Sequence, residues 1–152
     1  MTARSGVSVV SPYRAAEEPV MTGSSASALS WYTHELAREM AELRDVVIIA
    51  PKRGDETIWH DGNVRVLPAY RRGHPAVAFQ IARAIAPIPG VVHLQHELYA
   101  YGNALSAFSI PVMMTALRRM GHNVVTTVHG IIPLESIDTT FLAANEIGRA
   151  HV

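Results

Sequence analysis

Apolar residues along this chain fall into two patterns: short solid runs, and longer stretches where they recur every three or four positions. Gly6 to Ser11 (GVSVVS) is a β-branched run that Pro12 stops, which predicts a strand followed at once by a loop. Val46 to Ala50 (VVIIA) and Val124 to Val128 (VVTTV) are solid, without alternation, and predict strands buried on both faces as in a parallel sheet. Val64 to Leu67 predicts a third short strand ending at Pro68, and another opens at Val91 in the stretch VVHLQHELYAYG. Leu29, Tyr32, Leu36, Met40 and Leu43 recur at helical spacing. They predict a helix capped by Ser27, with His34, Glu35, Arg38, Glu39 and Glu42 on its solvated side. His74 to Ala86 is weakly helical, with Pro75 tolerated in a first turn. Asn103 to Met120 predicts a helix with Leu105, Phe108, Val112 and Leu117 as its apolar positions. Pro111 lies within it, either kinking the helix or marking where it begins. Arg118 and Arg119 suit a last turn, and Gly121 suits the stop. A short helix is expected after Asp138.

The order is therefore β-α-β-β-α-β-α-β, with loops at Tyr13 to Ala26 and Lys52 to Asn63. Apolar strands alternating with helices predict an α/β fold: a Rossmann-like, mainly parallel sheet with helices on both faces. Length narrows the picture to one domain, since the chain has 152 residues. A formal net charge of zero removes the basic bias expected of a nucleic-acid binder. There is no cysteine, so disulfides and thiolate metal sites are excluded. No apolar run reaches the roughly 18–20 residues of a membrane-spanning helix. The start, MTARSGVSVVS, is too short in its apolar part for a secretory leader, so a cytoplasmic protein is expected.

In an open parallel sheet, ligands bind beyond the carboxyl ends of the strands. Polar residues collect there in this chain: Ser11, Tyr13 and the loop with Gly23, Ser24 and Ser25; Lys52 and Arg53; His96, Glu97 and Tyr99; His129 and Gly130. His129 directly follows an apolar strand and precedes a flexible glycine, which favours a site role. Gly23 to Ser25 could offer backbone N–H groups to a phosphate at a helix N-terminus. For His96, Glu97, Tyr99 and Tyr101 a site role and a packing role are both open. His93 reads as a hydrogen-bonded core histidine; Glu17, Glu18, Lys52 and Arg53 read as solvated charges. HLQHE is not a zinc pattern, because on a strand His93 and His96 point to opposite faces, so no metal site is expected. GxGxxG, GxxxxGK[ST] and GxSxG are all missing, against a dinucleotide enzyme, a P-loop NTPase and an α/β-hydrolase.

Four segments taken together resemble family-4 glycosyltransferases: VSVVSPY with its Gly/Ser loop, SWYTHELAREMAEL with VVIIAP, VVHLQHELYAYGN, and VVTTVHGIIP. The resemblance covers nearly all of residues 6–135. It implies the N-terminal half of a GT-B fold, in which one Rossmann-like domain binds the acceptor and a second binds a nucleotide-sugar donor. It implies sugar transfer with retention of configuration, no metal and no cofactor beyond the nucleotide-sugar co-substrate. Acceptors would be carbohydrates, lipids or small-molecule hydroxyls; nucleic acid is not a partner, and peripheral attachment to a membrane is left open. His129 matches a histidine that reaches the donor sugar, Gly23 and Ser24 match a loop near the donor phosphates, and His96 and Glu97 match a segment on the acceptor side. The first loop departs from the family in carrying TGSSAS, with one glycine where two adjacent ones are common.

The last seven residues, EIGRAHV (146–152), continue neither the helix nor the family pattern. They can be encoded by GAG-ATC-GGA-AGA-GCA-CAC-GTC, which resembles a sequencing adapter read in frame. The expectation is an acceptor-side domain at 1–145, a non-native tail at 146–152, and a missing donor domain without which the fragment would be inactive. The alternative is a freestanding Rossmann-like module that holds a nucleotide or sugar without chemistry.

Overall fold

A computed structural model describes residues 6–13, 25–97, 100–102 and 104–129. The solid apolar runs are its strands: β1 (Val7–Val10), β2 (Val46–Pro51), β4 (Val64–Tyr70), β5 (Val91–His96) and β6 (Asn123–Val128). A further short strand, β3 (Trp59–Asp61), precedes β4. The helices are α1 (Ser25–Ala41), α2 (Val77–Ile85) and α3 (Ala104–Arg119). One sheet runs in the order β3-β4-β2-β1-β5-β6, parallel throughout except for the antiparallel β3–β4 pair.

Both faces of the sheet are covered, which is why its central strands tolerate no alternation. On one face Val9, Ile48, Val64 and Val66 pack with Ala37 and Ala41 of α1. On the other, Val10, Ile49, Val92 and Leu94 pack with Ile81 and Ile85 of α2 and Ile110, Met113 and Leu117 of α3. This is the expected α/β architecture, consistent with a Rossmann-like fold. None of the described helices is long and apolar enough to cross a membrane.

Several local expectations are corrected. The stretch expected as a loop between β2 and β4 contains β3, which turns back through Gly62-Asn63 and pairs Trp59 with Val66 and Asp61 with Val64. Pro68 does not end β4. The parallel register with β2 shifts at Ala50/Pro51, opposite Pro68 to Tyr70, and that irregularity accommodates the missing N–H. Helix α1 begins at Ser25, ahead of the expected cap Ser27, because Ser25 and Ala26 are already helical.

Its buried face is also rotated from the one the apolar spacing predicts. Leu29, Ser30, Thr33, His34, Ala37 and Ala41 are buried, whereas Leu43 and Tyr32 are exposed. Small side chains at Ala37 and Ala41 bring the helix close to the sheet, and the polar residues on that face find partners (described below). In α3 the helix runs through Pro111, and the buried positions are Ile110, Met113 and Leu117, leaving Phe108 78% exposed. Strand β6 lies at the edge of the sheet, so Val125 and Val128 are exposed rather than core. The helix expected after Asp138 falls outside the described residues.

The amino ends of β1 and β5 meet at a glycine crossing. Gly90 has φ of +123°, its neighbour Val91 donates to the Gly6 carbonyl at 3.1 Å, and a Cβ on Gly90 would lie 2.0 Å from that oxygen. Gly90→Ala is therefore expected to lower unfolding free energy by about 2 kcal/mol or more, read as a drop in the urea midpoint.

Candidate functional site

The chain proceeds outward from β1 to β2 and β4, then crosses back to β5 and β6 on β1's other side. The reversal between β1 and β5 makes that crevice, at the carboxyl ends of the strands, the place where a ligand fits such a sheet. Side chains from α1, β5 and the end of β6 converge there. His129 is fixed by its backbone, whose N–H donates to the His96 carbonyl at 2.7 Å. Its Nε2 hydrogen-bonds Oε1 of Gln95, and the edge of the Tyr32 ring meets it at a centroid distance of 5.2 Å. One strand turn lower on the same face, His93 Nε2 bonds the Thr127 hydroxyl at 2.8 Å. Beside them Ser11, just past β1, contacts Thr33 of α1 at 2.6 Å between hydroxyls. Thr33 spends its single proton on the Leu29 carbonyl at 2.9 Å, so Ser11 must be the donor in that pair.

His96 points the other way. Its ring stacks on Tyr101 at 6.0 Å, in the core beneath α2 and α3, and the Tyr101 hydroxyl donates to the Gln95 carbonyl at 2.8 Å. His96 and His129 thus adjoin through their backbones while their rings lie on opposite faces of the sheet, as alternation along β5 and β6 requires. Glu97 is half-buried just past β5, and its carbonyl accepts from Ala100 at 3.1 Å. Ser25 is the first residue of α1. Gly23, Ser24, Tyr99 and Gly130 lie outside the described residues.

Three buried side-chain atoms lack a hydrogen-bond partner among the described residues: the Tyr70 hydroxyl, Gln95 Nε2 and His96 Nδ1. Each unmet group costs about 1–3 kcal/mol. All three stand at the carboxyl ends of β4 and β5, Gln95 on the His129 side and Tyr70 and His96 with Tyr101 on the other. Here the loops after β4 and β5 are pinned together. Gly73 donates to the Tyr101 carbonyl at 2.8 Å, and Gly102, with φ of +119°, leaves no room for a Cβ beside the Gly73 nitrogen, 2.1 Å away.

A second polar cluster sits on the α1 face, nearer β3. The Tyr13 hydroxyl donates to Asp61 Oδ2 at 3.0 Å, and Nδ1 of His34 lies 3.3 Å from the same oxygen. His34 is 1% exposed, enclosed by the Tyr13 and Trp31 rings. Burial and the Asp61 carboxylate raise the Tyr13 hydroxyl far above the usual phenol range, so it stays a donor. Arg53 reaches back to the Tyr13 carbonyl at 3.3 Å and, with Glu56, Thr57 and Trp59, borders a cavity of about 320 Å³.

Sequence reasoning places His129 at the carboxyl edge of the sheet and expects the bonded state of His93, but misses the contacts of Gln95, Tyr32 and Thr33 and the Tyr13–Asp61–His34 cluster. Helical phase was the missing signal for α1: His34 is expected outside and is buried, while Tyr32 is expected in the core and instead flanks His129. Compared with protein families, curated proteins and solved structures, the chain matches none.

Burial lowers the affinity of His93 for a proton, and the neighbouring His129 adds to this; burial alone does the same at His96. The unfolded chain then takes up protons below about pH 6.5 that the folded chain resists. Stability is complete above that pH and is lost as pH falls towards the depressed native values. Urea midpoints should therefore decline from about pH 7.5 to about pH 5, and less steeply for a His93→Gln, His96→Gln variant.

Proposed function

We propose that this chain is the acceptor-side domain of a retaining glycosyltransferase of the GT-B kind, working in the cytoplasm on a nucleotide-sugar and a hydroxyl acceptor. The observation that supports ligand binding at this edge is Gln95, wholly buried with its Nε2 unmet, beside a histidine held from two sides; the unmet atoms of Tyr70 and His96 lie on the sheet's other face. The class of ligand comes from the four segments that resemble family-4 glycosyltransferases, of which VVTTVHG brings His129 to the crevice.

On this reading His129 hydrogen-bonds a hydroxyl of the donor sugar. Gln95 and Tyr32 are positioning residues that set its ring plane. The Gly23–Ser25 backbone approaches the donor phosphates ahead of α1, and Glu97 orients the acceptor, while the His96 ring, expected to share that task, packs on Tyr101 on the sheet's other face. The protein's contribution to rate is electrostatic: fixed donors stabilise the leaving diphosphate and the positive charge that grows on the sugar. No residue here is assigned as a general base.

The test joins this chain to a family-4 donor domain, or uses the full gene if the reading frame continues, and measures sugar transfer. His129→Ala is expected to lower turnover about 100-fold with an unchanged circular dichroism spectrum. Turnover equal to the parent would remove His129 from the site. Nucleotide-sugar binding with no transfer in the joined protein would instead favour the non-catalytic module.

A further inference from the structure

A groove on the opposite face from His129 sets three cationic side chains around an apolar floor. Lys52 follows β2, Arg71 follows β4, and Arg83 projects from α2; together they border a cavity of about 420 Å³ floored by Leu67. Among the described residues no carboxylate lines it, and none of the three cations has an ion-pair partner. Gln80 completes the rim. Its Oε1 already accepts from the Arg71 backbone N–H at 2.9 Å, which leaves its NH₂ as a further donor. One wall is the ring of Phe79, 67% exposed on the outer side of α2.

Like charges brought around one concavity repel one another, and a bound anion relieves that repulsion. Three cations outmatch a single carboxylate but suit the dianion of a phosphomonoester, which accepts bidentate bonds from guanidinium groups. The cavity volume fits a small molecule. The exposed Phe79 ring offers an apolar face to the C–H side of a sugar or polyol. We propose that this groove binds a phosphorylated sugar or polyol, with the phosphate among Lys52, Arg71 and Arg83 and the carbon skeleton against Phe79. The proposal stands apart from sugar transfer: it uses the α2 face, whereas His129 belongs to the α1 face.

The experiment is a ¹H–¹⁵N NMR titration of the whole chain with glucose 6-phosphate, glucose and inorganic phosphate, each to about 10 mM. Glucose 6-phosphate is expected to shift the amides of Lys52, Arg71, Gln80 and Arg83, inorganic phosphate the same amides with weaker affinity, and glucose none of them. Lys52→Gln with Arg83→Gln should weaken binding at least about tenfold, while Arg83→Lys, which keeps the charge, should retain most of it. Both substitutions fall on exposed side chains, and unchanged amide spectra elsewhere confirm the fold. The proposal is overturned if glucose 6-phosphate shifts none of these amides, if glucose does so equally, or if the double variant binds as tightly. It is also overturned if vesicles rich in anionic lipid bind the chain and glucose 6-phosphate does not compete.

Discussion

Strand β1 is the constraint on which the other elements depend. It is only four residues long, yet it pairs in parallel with β2 on one side and β5 on the other, and its Val9 and Val10 belong to different cores. A parallel neighbour cannot be reached by a tight turn, so each pairing forces a helical crossover. The right-handed sense of those crossovers puts α1 on one face and α2 on the other. The crevice exists because the two halves of the sheet diverge from this strand. A change that loosens β1 would therefore loosen both cores and the site together.

Strands were legible because burial on both faces leaves an unambiguous signature: VVIIA has no polar position to misplace. Helical faces were not. In α1 the buried side is made of alanine, serine, threonine and histidine, types that carry weak hydropathy signals and become buried through close approach or specific hydrogen bonds. In α3 the exposed Phe108 and Val112 mimic a core face that Ile110, Met113 and Leu117 supply instead. The three-residue β3 is too short for periodicity to register, and its hairpin pairing is a tertiary fact.

The candidate site divides in the same way. The place of His129 is visible from position alone, since a polar residue straight after an apolar strand must sit at the sheet's carboxyl edge. Gln95 is invisible: nothing in VVHLQHE distinguishes an amide that will be wholly buried from one that will be solvated. The cations at 52, 71 and 83 look like ordinary surface charges until the chain reversal at β4 and the return of α2 place them around one concavity. Charge clustering of this kind is a property of topology, and a linear reading has no access to it.

Helix α1 joins the packing of the sheet to the site. Its Ala37 and Ala41 rest against the sheet, while Tyr32, about a turn and a half before Ala37, stands beside His129. A methyl group added at either alanine would push the helix away from the sheet and shift the tyrosine ring with it. Packing volume at two alanines thus bears on one of the contacts that orient the imidazole.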